Sequence, residues 1–159
     1  AAWQQESLPL TGDITDVEPL PPYPGSLDLQ QIVGTDEIAA RLKHAPGWLL
    51  DARAPERFRG EIEPLDPVAG HVPGAVNRPF ALNVIDGRLR PAGELRAELQ
   101  TAIGGNAADR VVVMCGSGVT ACHLLLALEH AGLHGARVYA DSWSGWISDP
   151  ARPVATASP

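Results

Sequence analysis

Cys115 is the residue with the most chemistry to offer, and its neighbours explain why. Val111-Val112-Val113-Met114 is a run of large apolar residues, which reads as a buried strand. Cys115 follows at its end. Gly116-Ser117-Gly118 then places two glycines where a chain can turn tightly with N–H groups pointing inward. From Val119 to Ala131 the sequence is almost wholly apolar and compatible with a helix. Strand, cysteine loop and helix N-terminus together make an anion cradle, because unpaired N–H groups and the positive end of the helix dipole face one point. A cysteine in that setting is favoured as the thiolate, its nucleophilic form. The plain alternative is a small inert residue closing a core strand. The glycines and the immediate helix favour the reactive reading.

The elements needed to hold such a loop are visible on either side. Thr35 is placed to cap a short helix running to Lys43, with Asp36 and Glu37 in its first turn. Trp48-Leu49-Leu50-Asp51 and Ala75-Val76-Asn77 read as short strands, and Ala136 to Ala140 as a last one. Leu95, Leu99 and Ile103 recur at helical spacing, so residues 91–103 form an amphipathic helix opened by Pro91 and stopped by Gly104-Gly105. The helix after Cys115 carries few charges before Glu129 and is expected to be packed on both sides. Strands alternating with helices indicate an α/β fold with a parallel sheet. Arg53, Arg57, Asn77, Arg78, Cys115 to Thr120 and Asp141 to Trp143 all follow strands. One crevice beyond the carboxyl ends of the sheet is therefore expected to gather them.

The bulk properties set limits. A chain of 159 residues is one ordinary domain, and a net charge of −7 argues against nucleic acid or a membrane surface as the main partner. No run of 18 apolar residues suggests a membrane span. Two cysteines make no disulfide scaffold, which fits reduced thiols and a cytoplasmic setting. The only methionine is Met114, so the chain is expected to be processed or a piece of a longer one.

The loop Cys-Gly-Ser-Gly-Val-Thr resembles the active-site loop of rhodanese-family sulfurtransferases, in its 3-mercaptopyruvate version. Asp51-Ala52-Arg53 with Arg57-Phe58-Arg59-Gly60, Gly70-His71-Val72-Pro73-Gly74-Ala75, and Asp141-Ser142-Trp143-Ser144-Gly145-Trp146 extend the resemblance over most of the chain. It implies a rhodanese-like single domain, with a parallel sheet of about five strands flanked by helices. Residues 28–159 would be the catalytic domain. Residues 1–27, broken by Pro9, Pro19, Pro21, Pro22 and Pro24, would be a linker carrying the tail of an N-terminal rhodanese domain. Trp3 followed by Leu8-Pro9-Leu10 echoes Trp146 followed by Arg152-Pro153-Val154, which supports that division.

The resemblance further implies that Cys115 takes a sulfane sulfur from 3-mercaptopyruvate or thiosulfate and holds it as a persulfide. A thiol, cyanide or a thioredoxin-like protein would accept it, with no metal or organic cofactor. Arg57 would face the anionic donor, and Gly116, Ser117, Gly118, Val119 and Thr120 would cradle the sulfur. Arg53 and Arg59 are expected to be solvated surface charges. His71 is expected to hold its loop rather than shuttle protons, and Trp143 and Trp146 to pack the core with Trp143 or Ser142 at the pocket border. Cys122 is expected to be a small core residue. Where the mercaptopyruvate enzymes often carry a second arginine, Ile62-Glu63-Pro64-Leu65-Asp66-Pro67 has none, so both donors stay open. A cysteine phosphatase would need arginine six residues after the cysteine, and that position is Ala121. A sulfur carrier or partner-binding module without turnover of its own is the remaining alternative.

Overall fold

The computed structural model describes residues 2–156 apart from 15, 17 and 27. Residues 1, 15, 17 and 27 of the expected linker, and residues 157–159, lie outside that description. The described elements are α1 (Ala2–Gln5), α2 (Thr35–Ala40), β1 (Leu49–Asp51), α3 (Pro55–Phe58), β2 (Val76–Asn77), β3 (Val84–Ile85), β4 (Arg88–Leu89), α4 (Ala92–Ala102), β5 (Val112–Met114), α5 (Val119–His130), β6 (Arg137–Val138) and α6 (Ser142–Trp146). Between α1 and residue 28 the prolines leave the described chain without helix or strand, and Leu10, Ile14, Leu20 and Tyr23 are exposed.

The central sheet is parallel, in the order β2-β1-β5-β6. It has four strands rather than about five. The fifth place beside β6 holds a single bridge, Ile32 to Val138, and Gly34 follows too soon for a strand to continue there. The apolar runs of β1 and β5 are buried on both faces because each face carries its own core. Leu50, Val111 and Val113 point to the face covered by Leu95, Leu99, Leu124 and Leu128 of α4 and α5. Leu49, Val112 and Met114 alternate to the other face, against Ile38, Phe58, Tyr139, Trp143 and Trp146.

Two local readings change. Gly34, not Thr35, is the N-cap of α2, and the Thr35 hydroxyl instead meets the Tyr139 hydroxyl at 2.9 Å. The α5 helix is packed on one face only: Ala121, Leu124, Ala127 and Leu128 are buried, while Val119, Cys122, Leu126 and Glu129 face solvent. Its apolar composition reflects a rim rather than a second buried face. The β3–β4 hairpin was missed, although Asp86-Gly87 between short apolar runs is a hairpin signal. Both residues take positive φ, 50° and 73°, as a two-residue turn of that kind requires.

The exit of β1 is fixed by an ion pair. Arg53 donates from Nε and Nη2 to the Asp51 carboxylate, the shortest contact being 2.7 Å, and from Nη2 to the Gly70 carbonyl at 2.7 Å. Both side chains are at most 1% exposed, so Arg53 is not a surface charge. It lies over the Trp143 ring at 4.7 Å, where the ring face offsets part of its lost hydration. Arg59 is the solvated one, half-exposed and paired with Glu61. His71 holds its loop as expected. It is buried, stacks on Phe58 at 3.7 Å, contacts the Phe58 carbonyl through Nδ1 at 2.7 Å and bridges to Ala155. Burial holds its pKa below the usual imidazole value.

Two variants test this description by urea unfolding. Leu124→Ala should cost about 2–5 kcal/mol, whereas Leu126→Ala on the exposed face of the same helix should change stability by less than about 0.5 kcal/mol. Arg53→Met, which strands the buried Asp51 carboxylate, should cost about 3–5 kcal/mol, far more than removal of an exposed partner such as Arg59.

Candidate active site

The sheet order changes direction between β1 and β5. The chain leaves β1 toward β2 on one side and leaves β5 toward β6 on the other, so the two exit loops part and open a crevice at the carboxyl ends of the strands. Cys115 stands at that point, 2% exposed. A cavity of about 280 Å³ there is lined by Arg57, Leu65, Asp66, Cys115, Gly116, Ser117, Val119, Thr120 and Ser144.

The first two carbonyls of the loop are tied down, and the amides after Cys115 are not. The Cys115 carbonyl accepts from Trp143 N–H at 3.1 Å, and the Gly116 carbonyl accepts from Ser144 N–H at 3.0 Å. Cys115 N–H donates to the Ser142 hydroxyl at 3.1 Å, and that hydroxyl donates to the Tyr139 carbonyl at 2.8 Å. Ser142 makes these contacts with φ at 53°, a left-handed conformation unusual for a non-glycine residue. Among the described residues, the N–H groups from Gly116 to Thr120 have no acceptor within the protein. They lead into the N-terminus of α5, so the cavity floor is a set of donors at the positive end of a 12-residue helix. Gly118 makes the turn with φ at 86°, and a Cβ there would stand 2.7 Å from the Ala140 carbonyl. No other residue fits between the loop and the end of β6.

Arg57 covers the loop from above. A methyl on Gly116 would lie 3.5 Å from Arg57 Nη1 and 3.6 Å from Nη2. The guanidinium is steered by two carboxylates. Nε and Nη2 donate to Glu63, closest at 2.6 Å, and Nη2 also reaches Asp66 at 3.1 Å. Nη1 has no partner among the described residues, which leaves one donor pair for an anion. Burial pushes the Glu63 pKa up, but hydrogen bonds from Arg57 and from the Leu65 and Asp66 N–H groups outweigh it and hold the carboxyl below its usual range.

Of the residues expected at the site, Arg57, Cys115, Gly116, Ser117, Val119 and Thr120 line the cavity, whereas Gly118 is buried and only makes the turn. The expectation of one crevice holding all the strand-end residues is not met. Arg53 is buried beneath the site, and Asn77 spends its amide on the Asp51 and Arg53 carbonyls. Asn77 and Arg78 line a separate cavity of about 560 Å³ with Pro46, Leu82, Glu98 and Thr101. Ser142 supports Cys115 from behind and Trp143 is buried, so neither borders the cavity; Ser144 does. Cys122 is exposed, not a core residue, and does not line the cavity. Glu63, Leu65, Asp66 and Ser144 were not anticipated. The signal was present in Glu63-Pro64-Leu65-Asp66-Pro67, where two acids three residues apart follow Arg57 closely enough to pair with it.

Residues 35–149 match the model of the rhodanese-like domain. The chain is similar to a protein of Pseudomonas aeruginosa named "Probable 3-mercaptopyruvate sulfurtransferase", with 46% identity over 157 residues, covering 98% of this chain and 55% of that protein. It is 30% identical over 156 residues to the 3-mercaptopyruvate sulfurtransferase of Escherichia coli K12, covering 97% of this chain and 55% of the relative. A solved 3-mercaptopyruvate sulfurtransferase from Leishmania major superposes with a TM-score of 0.73 at 29% identity, over 94% of this chain and 42% of that one. The chain thus spans about half the length of the curated relatives it matches. Its cysteine loop, its sheet order and this match over 115 of its residues agree: the chain belongs to the rhodanese family.

Proposed function

We propose that this domain is a sulfurtransferase that carries sulfur as a persulfide on Cys115. The observation that carries the reading is the placement of that one thiol. It lines one cavity with Arg57 and opens a loop whose N–H groups from Gly116 to Thr120 have no acceptor among the described residues, and the cavity is large enough for a small anion. The Cys115 thiolate attacks the outer sulfur of the donor. With thiosulfate the S–S bond breaks and sulfite leaves with the electron pair. With 3-mercaptopyruvate the C–S bond breaks, and the pyruvate enolate leaves and takes up the proton that the donor thiol gives up. The loop N–H groups stabilise the persulfide anion, and Arg57 orients the donor's carboxylate or sulfonate. An acceptor thiol, cyanide or thioredoxin-like protein then attacks the outer sulfur and restores the thiolate. Ser117 and Thr120 lie on the cavity wall, where their hydroxyls assist the persulfide.

A phosphatase reading lacks its cation, because the residue six positions after Cys115 is Ala121, buried in the first turn of α5. The division of the chain into a domain from about residue 28 and the tail of a preceding rhodanese domain is also proposed. Its support is that Trp3 Nε1 donates to the Pro9 carbonyl at 3.0 Å, as Trp146 Nε1 donates to the Pro153 carbonyl at 3.0 Å. Both cysteines are free thiols, and the cytoplasm is the compartment we propose for them. Among the described residues no helix is long and apolar enough to cross a membrane.

Intact mass after incubation with 3-mercaptopyruvate or thiosulfate tests the reading. One cyanide-removable sulfur should appear on the unaltered chain and none on Cys115→Ser. Arg57→Lys keeps the charge but loses the forked donor, and should slow sulfur uptake about ten- to a hundredfold. A folded chain with reduced Cys115 that takes no sulfur from either donor favours a carrier or partner-binding module completed by the other half of the protein.

A further inference from the structure

The charged groups around the cavity form one ladder. Asp51 pairs with Arg53 at 2.7 Å, Arg53 with Glu63 at 3.5 Å, Glu63 with Arg57 at 2.6 Å, and Arg57 with Asp66 at 3.1 Å. The ladder begins and ends on a carboxylate, so it carries three acids against two arginines. The first three members are buried, and the last, Asp66, lines the cavity that holds Cys115. The excess negative charge therefore sits at the end that a donor meets.

Asp66 is not free to turn away. Its Oδ2 accepts from Arg57, and its Oδ1 accepts from the Ser144 hydroxyl at 2.8 Å. Ser144 is itself anchored through its N–H to the Gly116 carbonyl of the cysteine loop. Leu65 beside it is 76% exposed and lines the same rim, so no second cation offsets the carboxylate there. Among the described residues lining the cavity, Arg57 is the only cation, and two carboxylates already share it.

We infer that Asp66 sets donor specificity: its carboxylate penalises a dianion such as thiosulfate more than an anion with a single carboxylate, and so tilts the site toward 3-mercaptopyruvate. This rests on the sulfur-transfer reading. The donor charge nearest Cys115 is met by the loop N–H groups and Arg57 Nη1. A second negative charge finds no further cation among the described residues that line the cavity, and it meets the Asp66 carboxylate.

Asp66→Asn keeps the shape and the acceptor for Ser144 while removing the charge. It should raise kcat/KM for thiosulfate about tenfold and for 3-mercaptopyruvate no more than about threefold, with the excess shrinking as salt is raised. Leu65→Arg adds a cation on the same rim, and should shift the donor ratio the same way even if Asp66→Asn proves unstable. Equal changes for both donors, or a loss with both, would overturn the inference. Should the unaltered chain take sulfur from neither donor, the sulfur-transfer reading fails by itself. Calorimetry with sulfate and acetate then decides the charge selection: Asp66→Asn should gain affinity for sulfate more than for acetate, and equal gains would sink it.

Discussion

The buried pair of Arg53 with Asp51 is the constraint on which the candidate site depends. Burying two charges is expensive, and such a pair adds little to stability compared with apolar groups of the same size. Its effect is on geometry. With Asp51 at the end of β1, Arg53 can satisfy its fork only by holding the Gly70 carbonyl and approaching Glu63. Glu63 in turn orders Arg57. The direction of the guanidinium that lines the cavity is thus inherited from the last residue of a central strand. Because an unpaired member would be left in a medium of low polarity, each link tolerates little drift.

The cysteine loop shows the complementary arrangement. The Cys115 and Gly116 carbonyls are consumed by the first turn of α6, and the amides from Gly116 to Thr120 are left over among the described residues. Sequestering acceptors while sparing donors turns an ordinary strand-to-helix turn into an electropositive floor, without any lysine or arginine on the loop itself. That fits a chain with net charge −7, in which an anion must be held by local dipoles rather than by a broad field. Ser142 pays for the arrangement with its left-handed backbone and recovers two hydrogen bonds, to Cys115 N–H and the Tyr139 carbonyl.

Much of the fold was legible because it follows from periodicity. The runs around Leu49 and Val112, the spacing of Leu95 and Leu99, and the glycines after Cys115 each constrain neighbours in sequence. What escaped depended on distant partners. Arg53 looks like any loop arginine until Gly70 and Trp143 fold over it, and Asp66 acquires meaning only when Ser144 arrives from the far side of β6. Apolar content misled for α5, since composition does not distinguish a helix buried all round from one that lends Val119 to a cavity rim. The missing fifth strand has a similar cause: one bridge at Ile32 satisfies the sheet edge, and nothing in its local pattern limits it to one.

The four tryptophans divide the molecule optically. Trp48, Trp143 and Trp146 are at most 1% exposed, whereas Trp3 is 54% exposed on a short helix outside the core. Emission from the three interior indoles reports the integrity of the sheet and, through Trp143 under Arg53, the electrostatic state of the ladder beneath the site. A polar quencher reaches Trp3 first. The protein therefore carries two separable fluorescence signals: one for the folding of the domain, and one for whatever comes to cover its leading segment.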